Sequence, residues 1–152
     1  MNKICVQFVF TLMFVGTFTA EFYSQDYNIN KKLNSKSGFH FENVIFFEIE
    51  KAIIENDVSK IARYFSPKPY LSFSNGVTGY YSSSQAYYVL EDFFNIYKVI
   101  SFKFDHKKND DSDSYATGIY YYQNKGQRDS AQVYITLNKI GDNWFITQIS
   151  IN

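Results

Sequence analysis

Cysteine is almost absent from this sequence of 152 residues, because Cys5 is the single example. It lies in an apolar stretch, residues 4–20, that follows a charged start and is typical of a secretory signal peptide. Removal of residues 1–20 would leave a mature chain without any thiol. That excludes a cysteine nucleophile, a cysteine-ligated metal and a disulfide framework. We therefore expect roughly 130 mature residues to form one domain that packing alone stabilises.

The amino-terminal segment has two interpretations, a cleaved signal peptide and a retained membrane anchor. As a helix, residues 4–20 would span about 26 Å, which is short for a hydrocarbon core of about 30 Å. We expect cleavage and a periplasmic or secreted mature protein. Residues 21–40 are polar without a sustained period, so we expect a flexible leader before a domain over residues 41–152.

An excess of one charge is also lacking, since 15 Lys and Arg balance 15 Asp and Glu. Loss of Lys3 with the signal leaves a net charge of −1, and nucleic acid is not an expected partner because its binding relies on basic groups. His40 and His106 are too far apart to predict a metal cluster, and no cofactor motif is present. Residues 109–113 are acidic but lack the glycine and glutamate of a calcium loop, so we predict a solvated hairpin loop.

Aromatic residues, by contrast, are abundant, with 16 Phe, 14 Tyr and one Trp. One interpretation is a stacking surface for sugars or other rings. The other is core packing in a sequence rich in residues with AT-rich codons. Many of the rings fall on core-facing periods, which favours the second interpretation.

The strongest local pattern runs from Ser82 to Phe104. Ser82 and Gln85 form a capping-box pattern, and apolar residues then recur at helical spacing. These residues are Ala86, Val89, Leu90, Phe93, Phe94 and Tyr97. The period then changes to two at Ile100, Phe102 and Phe104, which indicates a strand. We therefore predict a helix that packs on a sheet.

Two earlier helices are predicted over residues 41–56 and 58–65. The first has a core-facing stripe that comprises Val44, Ile45, Phe47, Ile49, Ala52 and Ile53. Residues 66–69 contain two prolines, which end the second helix. A short hairpin over residues 70–81 precedes the third helix, and four antiparallel strands follow it. This order predicts an α+β fold in which three helices cover one face of a curled antiparallel sheet.

Several packing motifs occur along residues 41–152. They are Glu48-Ile49, Ala52-Ile53, Tyr64-Phe65, Gly79-Tyr80-Tyr81-Ser82, Asp92-Phe93-Phe94, the run from Phe102 to His106, Tyr115-Ala116-Thr117-Gly118, Trp144-Phe145-Ile146 and Ile149-Ser150-Ile151. In this order the chain resembles the cone-shaped fold of nuclear transport factor 2, ketosteroid isomerase and the SnoaL-type polyketide cyclases. More closely, it resembles a family of small exported Bacteroidetes proteins of unknown function. These motifs concern packing, and they carry no catalytic signature.

The resemblance implies a pocket between the helices and the concave face of the sheet. His106 continues the face of Phe102 and Phe104, and an inward imidazole there would carry protons near neutral pH. The interpretation that we favour, because no partner for the imidazole is identifiable, is a histidine at the rim of the sheet, bonded to backbone or water. Asp105 is expected on the outer face, and Asp92 on the surface of its helix.

Aromatic side chains are the candidate ligand-binding residues of this pocket. They are Tyr64, Tyr81, Phe93, Phe104, Tyr120 and Tyr134, with Tyr80 and Tyr122 nearby in the pattern. Apolar sites with a few hydroxyls suit small ligands, but the same tyrosines could bury their rings and reach water with their hydroxyls. The pocket interpretation requires open space between the third helix and the sheet.

We expect a non-catalytic module that binds a small apolar ligand or an envelope protein, with a homodimer through the sheet face as a further possibility. The first alternative is an acid/base enzyme of isomerase or lyase type, with His106 as its proton carrier and a small hydrophobic substrate. The second alternative is a structural subunit of an envelope complex, which predicts a contiguous exposed apolar patch.

Overall fold

The computed structural model describes residues 41–152, so the expected signal peptide and leader lie outside the described residues. Three helices and six strands form this part of the chain. They are α1 (Phe41–Ile54), α2 (Val58–Ala62), β1 (Phe65–Phe73), β2 (Thr78–Tyr80), α3 (Ser83–Ile96), β3 (Lys98–Lys108), β4 (Asp113–Asn124), β5 (Gln127–Ile140) and β6 (Asn143–Ile151). None of these helices is both long and apolar enough to cross a bilayer.

The six strands form one sheet in the order β2-β1-β6-β5-β4-β3. Neighbouring strands are antiparallel except for β1 and β6, which run parallel. The sheet is therefore mixed, where the sequence predicted antiparallel strands throughout. The predicted α+β arrangement of helices on one face of a sheet is confirmed, and the buried side chains of both layers form one core.

Helix α3 follows the sequence prediction closely. The Ser82 hydroxyl accepts a hydrogen bond from the backbone N–H of Gln85, and the Gln85 side chain accepts one from the backbone N–H of Ser82. This capping box is confirmed, and it satisfies donors that a helix start leaves free. The buried residues of the helix are Ala86, Leu90, Phe93 and Phe94. They face the sheet, while Val89 and Tyr97 are half-buried at the margin.

Helix α1 is rotated relative to the predicted stripe. Val44 and Phe47, expected in the core, are exposed, and Phe46 is fully buried instead. At about 100° per residue, Val44 and Phe47 lie on the far side of the helix from Ile49, whereas Phe46 lies within about 60° of it. The other predicted core residues are buried, namely Ile45, Ile49, Ala52 and Ile53.

Strand β1 begins five residues earlier than predicted. Phe65 pairs with Ile146 and Tyr70 pairs with Gln148. Between these two pairs β1 advances by five residues, whereas β6 advances by two. The extra residues form an irregular segment that accommodates Pro67 and Pro69, because a proline has no N–H to lose from a ladder. The sequence pattern indicated only the end of a helix here.

Strand β3 has an irregular register near its start. Val99 lies opposite Tyr122 and Ser101 lies opposite Tyr121, which leaves Ile100 as an extra residue in a β-bulge. A bulge of one residue reverses the alternation of side chains on one side of it. Ile100 is consequently exposed on the outer face, so its predicted position beside Phe102 in the core is wrong.

Strand β3 also forms one edge of the described sheet, with β4 as its neighbouring strand. The backbone N–H of Phe104 points away from β4 and donates to the Glu50 carboxylate of α1 at 2.9 Å. Four exposed lysines lie along the strand: Lys98, Lys103, Lys107 and Lys108. Bulges, lysines and a covering helix are all features by which proteins protect an exposed sheet edge.

Gly118 on β4 lies opposite Phe104 on the edge strand, where the two backbones approach closely. A Cβ at this position would clash with the Lys103 carbonyl oxygen and lie 2.9 Å from its carbonyl carbon. Since these are backbone atoms, we expect Gly118→Ala to displace β3 and to lower the free energy of unfolding by about 1–3 kcal/mol. Urea denaturation measures this loss. Gln123→Ala, which changes an exposed residue of the same strand, is the control, and equal losses for both variants would contradict the steric explanation.

Candidate functional site

The concave side of the sheet, where the resemblance implies a pocket, holds Tyr120 at its centre. Tyr120 is 0% exposed. Its ring stacks between Phe94 and Tyr122, with centroid distances of 5.7 and 5.8 Å. Its hydroxyl donates to the carbonyl oxygen of Tyr97 at 2.5 Å. The predicted ligand-binding tyrosine is therefore a core residue that fixes the end of α3.

Further rings pack between the helices and the sheet. Phe93 packs on Phe73 with 4.8 Å between ring centroids. Phe104 packs edge-on against Phe46 and Phe102, at 5.6 and 4.8 Å. All five side chains are buried. The pocket interpretation requires open space here, and the side chains of this chain occupy it.

Burial changes the acidity of the central tyrosine. Removal of the Tyr120 phenol from water raises its pKa well above the usual value of 10.0, and the nearby Tyr122 adds to this effect. Desolvation disfavours the charged form of any phenol, so the Tyr120 hydroxyl stays protonated at neutral pH. It therefore acts as a constant hydrogen-bond donor to Tyr97 rather than as an acid or base.

Two other predicted ligand-binding tyrosines are attached to local structure. The half-buried Tyr64 donates its hydroxyl to Glu48 at 3.3 Å, and the Arg63 guanidinium lies 4.8 Å above its ring. Arg63 also pairs with Glu48, so this group joins α1 to the end of α2. Tyr81 is half-buried, and its backbone N–H donates to the carbonyl oxygen of Pro69.

His106 does not face the interior. Phe104 lies opposite Gly118 and His106 lies opposite Thr117, so Asp105 is an extra residue in a second β-bulge. The bulge moves His106 to the outer face, where it is exposed, which agrees with the favoured rim histidine and not with an inward imidazole. Asp105 is exposed as expected, and it accepts a hydrogen bond from the Thr117 hydroxyl at 3.2 Å.

Tyr134 also lies on the outer face rather than around an internal cavity. Its ring is 5.4 Å from that of Tyr115, which in turn is 6.0 Å from the His106 ring. These three side chains form a row across β3, β4 and β5. The candidate residues are therefore divided between the core, the ends of the helices and the outer face, and no single site brings them together.

The outer face of the sheet carries three open grooves. Two adjoin on β3 and β4 and share Ser101 and Tyr121; the first, of about 500 Å³, extends onto β5, and the second has a volume of about 430 Å³. The third, called the tyrosine groove below, has a volume of about 470 Å³ and lies over β2, β1, β6 and β5. Its lining is Lys68, Tyr70, Tyr80, Thr136, Asn138, Thr147 and Gln148.

A fourth concavity, of about 310 Å³, lies between α2 and α3. Tyr87 lines it and donates its hydroxyl to Glu91 at 3.0 Å. Hydrogen bonding to Glu91 raises the pKa of Tyr87. Within residues 41–152, no three His, Cys, Asp or Glu side chains lie together as metal ligands.

Sequence reasoning did not select the outer-face tyrosines Tyr70, Tyr115 and Tyr121. Their signal was present in the period of the strands, since Tyr70 alternates with the buried Leu71 and Tyr115 with the buried Ala116. Alternation assigns such residues to the solvent face of a sheet. It does not indicate which of them lie beside a groove, because grooves arise from bulges.

With helices on one face of a six-stranded mixed sheet, residues 41–152 have a nuclear transport factor 2-like fold. The solved structure of an NTF-2 like protein of unknown function from Shewanella oneidensis matches it with a TM-score of 0.51 and 12% identity, over 70% of this chain and 92% of that chain. The family model of DUF4783, a domain of unknown function, matches residues 46–152, and the chain belongs to this family. The family resemblance and fold predicted from the sequence are confirmed.

Crystal structures of two DUF4783 family proteins share the fold. The protein from Bacteroides uniformis matches with a TM-score of 0.63 and 23% identity, over 69% of this chain and 93% of that chain. The protein from Bacteroides fragilis matches with a TM-score of 0.61 and 21% identity, over 68% and 93% of the two chains. No curated protein matches this chain.

Tyr120→Phe tests the role of the buried hydroxyl. We expect the variant to lose about 0.5–1.5 kcal/mol of unfolding free energy at pH 7, because the Tyr97 carbonyl loses its donor. The folded-state pKa of Tyr120 is raised above the unfolded value of 10.0, so the stability that this group contributes is present below pH 10 and is lost as the pH rises further. The difference between wild type and variant should therefore shrink from pH 8 to pH 11 in urea denaturation.

The matched control for this measurement is Tyr134→Phe, on the outer face, which should change little at either pH. A wild-type advantage over Tyr120→Phe that stays constant through pH 11 would contradict the assignment of a raised pKa to the buried phenol.

Proposed function

We propose that this protein is an exported, non-catalytic binding module whose binding surface is the outer face of its sheet. The observation that carries the proposal is the ring-filled interior. Tyr120, Phe93 and Phe94 occupy the volume in which a ligand or substrate would have to lie. A cone closed by its own side chains leaves the opposite face of the sheet as the broad surface available for recognition.

The side chains of the outer face support this choice. Tyr80 is 67% exposed and Tyr121 is 50% exposed, and the bulged Ile100 lies in the same groove as Tyr121. Tyrosine is enriched at protein interfaces, since it supplies a large rigid ring and a polar hydroxyl together. The polar residues between the rings suit a surface that is solvated when it is free.

The acid/base enzyme is not proposed as a second function. A general acid or base must lie within hydrogen-bond reach of the reacting proton, in surroundings that adjust its pKa. His106 is exposed on the convex side of the sheet and has the Tyr115 ring as a neighbour. The small apolar ligand inside the cone is likewise not proposed, since Tyr120 and Phe104 fill that position.

We propose an envelope protein or a second copy of this chain as the macromolecular partner. Both would use the same solvent face of the strands, since the concave face is covered by α1 and α3. Nucleic acid is not proposed, because the chain carries equal numbers of acidic and basic residues. The proposed location is the periplasm or the outside of the cell, after removal of residues 1–20.

Photocrosslinking in the producing cell tests the outer-face assignment. Gln132 is exposed on β5, near the middle of this face, and Tyr88 is 63% exposed on α3. We expect p-benzoylphenylalanine at position 132 to form a discrete covalent adduct under ultraviolet light. An adduct of twice the monomer mass would identify a second copy, and any other mass a different protein. The same photoprobe at position 88 is the control, and an adduct there but not at 132 would contradict the proposal, as would none at either position.

Export is tested by the mass of the protein recovered from the producing cell. We expect a mature chain that has lost residues 1–20, because an apolar stretch of this length fits a cleaved signal. Leu12→Arg places a charge inside that stretch and should leave the full-length chain in the cytoplasm. Wild-type protein that retains Met1, or that stays in the membrane fraction, would contradict export with cleavage.

A further inference from the structure

The tyrosine groove lies where two adjacent strands both depart from regular pairing. On β1, the extra residues between Phe65 and Tyr70 push the segment that contains Lys68 out of register with β6. On β6, Thr147 is an extra residue, because Thr136 lies opposite Gln148 while the next residue of β5 lies opposite Ile146. Bulges redirect side chains, and two of them at one place turn a flat sheet surface into a concave one.

One wall of the groove is aromatic. Tyr70 and Tyr80 lie directly opposite each other on β1 and β2, and their rings meet edge to face with 5.1 Å between centroids. Tyr80 is 67% exposed, so much of its side chain is open to solvent. The face of an aromatic ring is electron-rich and attracts C–H groups, which carry a partial positive charge.

The other side of the groove carries neutral polar groups. Asn138 and Gln148 supply amides, and Thr136 supplies a hydroxyl. Thr147 donates to the Asn138 side-chain oxygen, and Gln148 donates to Ser150 at 3.0 Å, so neighbouring side chains hold both amides in place. Amides and hydroxyls both donate and accept hydrogen bonds, which matches a ligand rich in hydroxyl groups.

The charged lining of the groove is positive. Lys68 lines it, and no carboxylate does. The lining also contains no aliphatic side chain, which disfavours a lipid. A single exposed ammonium group in a neutral polar site is complementary to a ligand with an isolated negative group.

We propose that the tyrosine groove binds an acidic saccharide. A sugar ring places its C–H face against Tyr80, its hydroxyls reach the amides of Asn138 and Gln148, and its carboxylate faces Lys68. The volume of about 470 Å³ suits a short saccharide and lies within the range of about 300–1,000 Å³ for ligand sites. This inference rests on the proposed function, since it assigns a ligand class to one part of the outer face.

The test is a titration of the mature protein with trigalacturonate, followed by amide NMR shifts and calorimetry. We expect saturable binding at millimolar concentration, with shifts confined to β1, β2, β5 and β6. Tyr80→Ala should weaken binding about tenfold, because the stacking surface is removed. Lys68→Gln should also weaken it about tenfold, because the charged hydrogen bond is lost. Galactotriose, the neutral counterpart, should bind more weakly than trigalacturonate and should be indifferent to Lys68→Gln.

The matched controls lie on the other half of the same face. Tyr121→Ala and Lys103→Gln also remove an exposed ring and a positive charge, and they should leave binding unchanged. Thermal melting of each variant checks that the fold is kept. The proposal is overturned by absence of saturable binding, by shifts centred on Tyr121, or by equal affinity for the neutral trisaccharide.

The result also separates this inference from the proposed function. If trigalacturonate does not bind but the photoprobe at position 132 forms its adduct, the saccharide assignment falls and the outer-face function stands. If the saccharide is bound and cleaved or rearranged, which NMR of the sugar would detect, the non-catalytic function falls. Binding without conversion supports both.

Discussion

The stacking of α3 on the strand that carries Tyr120 is the contact on which the rest of the structure depends. Phe93 and Phe94 lie on the buried stripe of the helix, and both rings contact Tyr120 from above. The Tyr120 hydroxyl then bonds to Tyr97, directly after the helix. One side chain thus helps to fix the position of the helix on the sheet and occupies space between the two layers. Tyr120 therefore contributes both to the packing of α3 on the sheet and to the closure of the cone.

The convex side of the sheet carries the grooves described above. Parallel pairing of β1 with β6 and bulges at Ile100, Asp105 and Thr147 shape that side into separate grooves. The regular parts of each strand serve the core, and the irregular positions shape the solvent face.

Sequence periodicity predicted the elements in which one pattern dominates. The capping box at Ser82 and the spacing of α3 indicated both a helix and its buried side, and the structure agrees. Register is a different kind of information. A single extra residue at Asp105 reverses the side of His106, and nothing in the alternation of Phe102 and Phe104 announces it. Phe47 on α1 is exposed, although the sequence pattern predicted that it is buried. Apolar residues lie on both sides of α1, so their spacing alone does not indicate which side faces the core.

The sequence alone did not predict the grooves either. The tyrosine groove requires residues from four strands and two irregularities in register. Local patterns supply the side chains, and long-range pairing decides which of them become neighbours.

The carboxylate of Glu50 affects how readily another molecule can pair with the edge of this sheet. It occupies the backbone amide of Phe104 at the open border of the sheet. A strand from another molecule that approached this border would have to displace a charged side chain held by a packed helix before it gained its first ladder bond. Edge-to-edge addition of strands is thereby opposed at β3, the longer of the two borders of the described sheet.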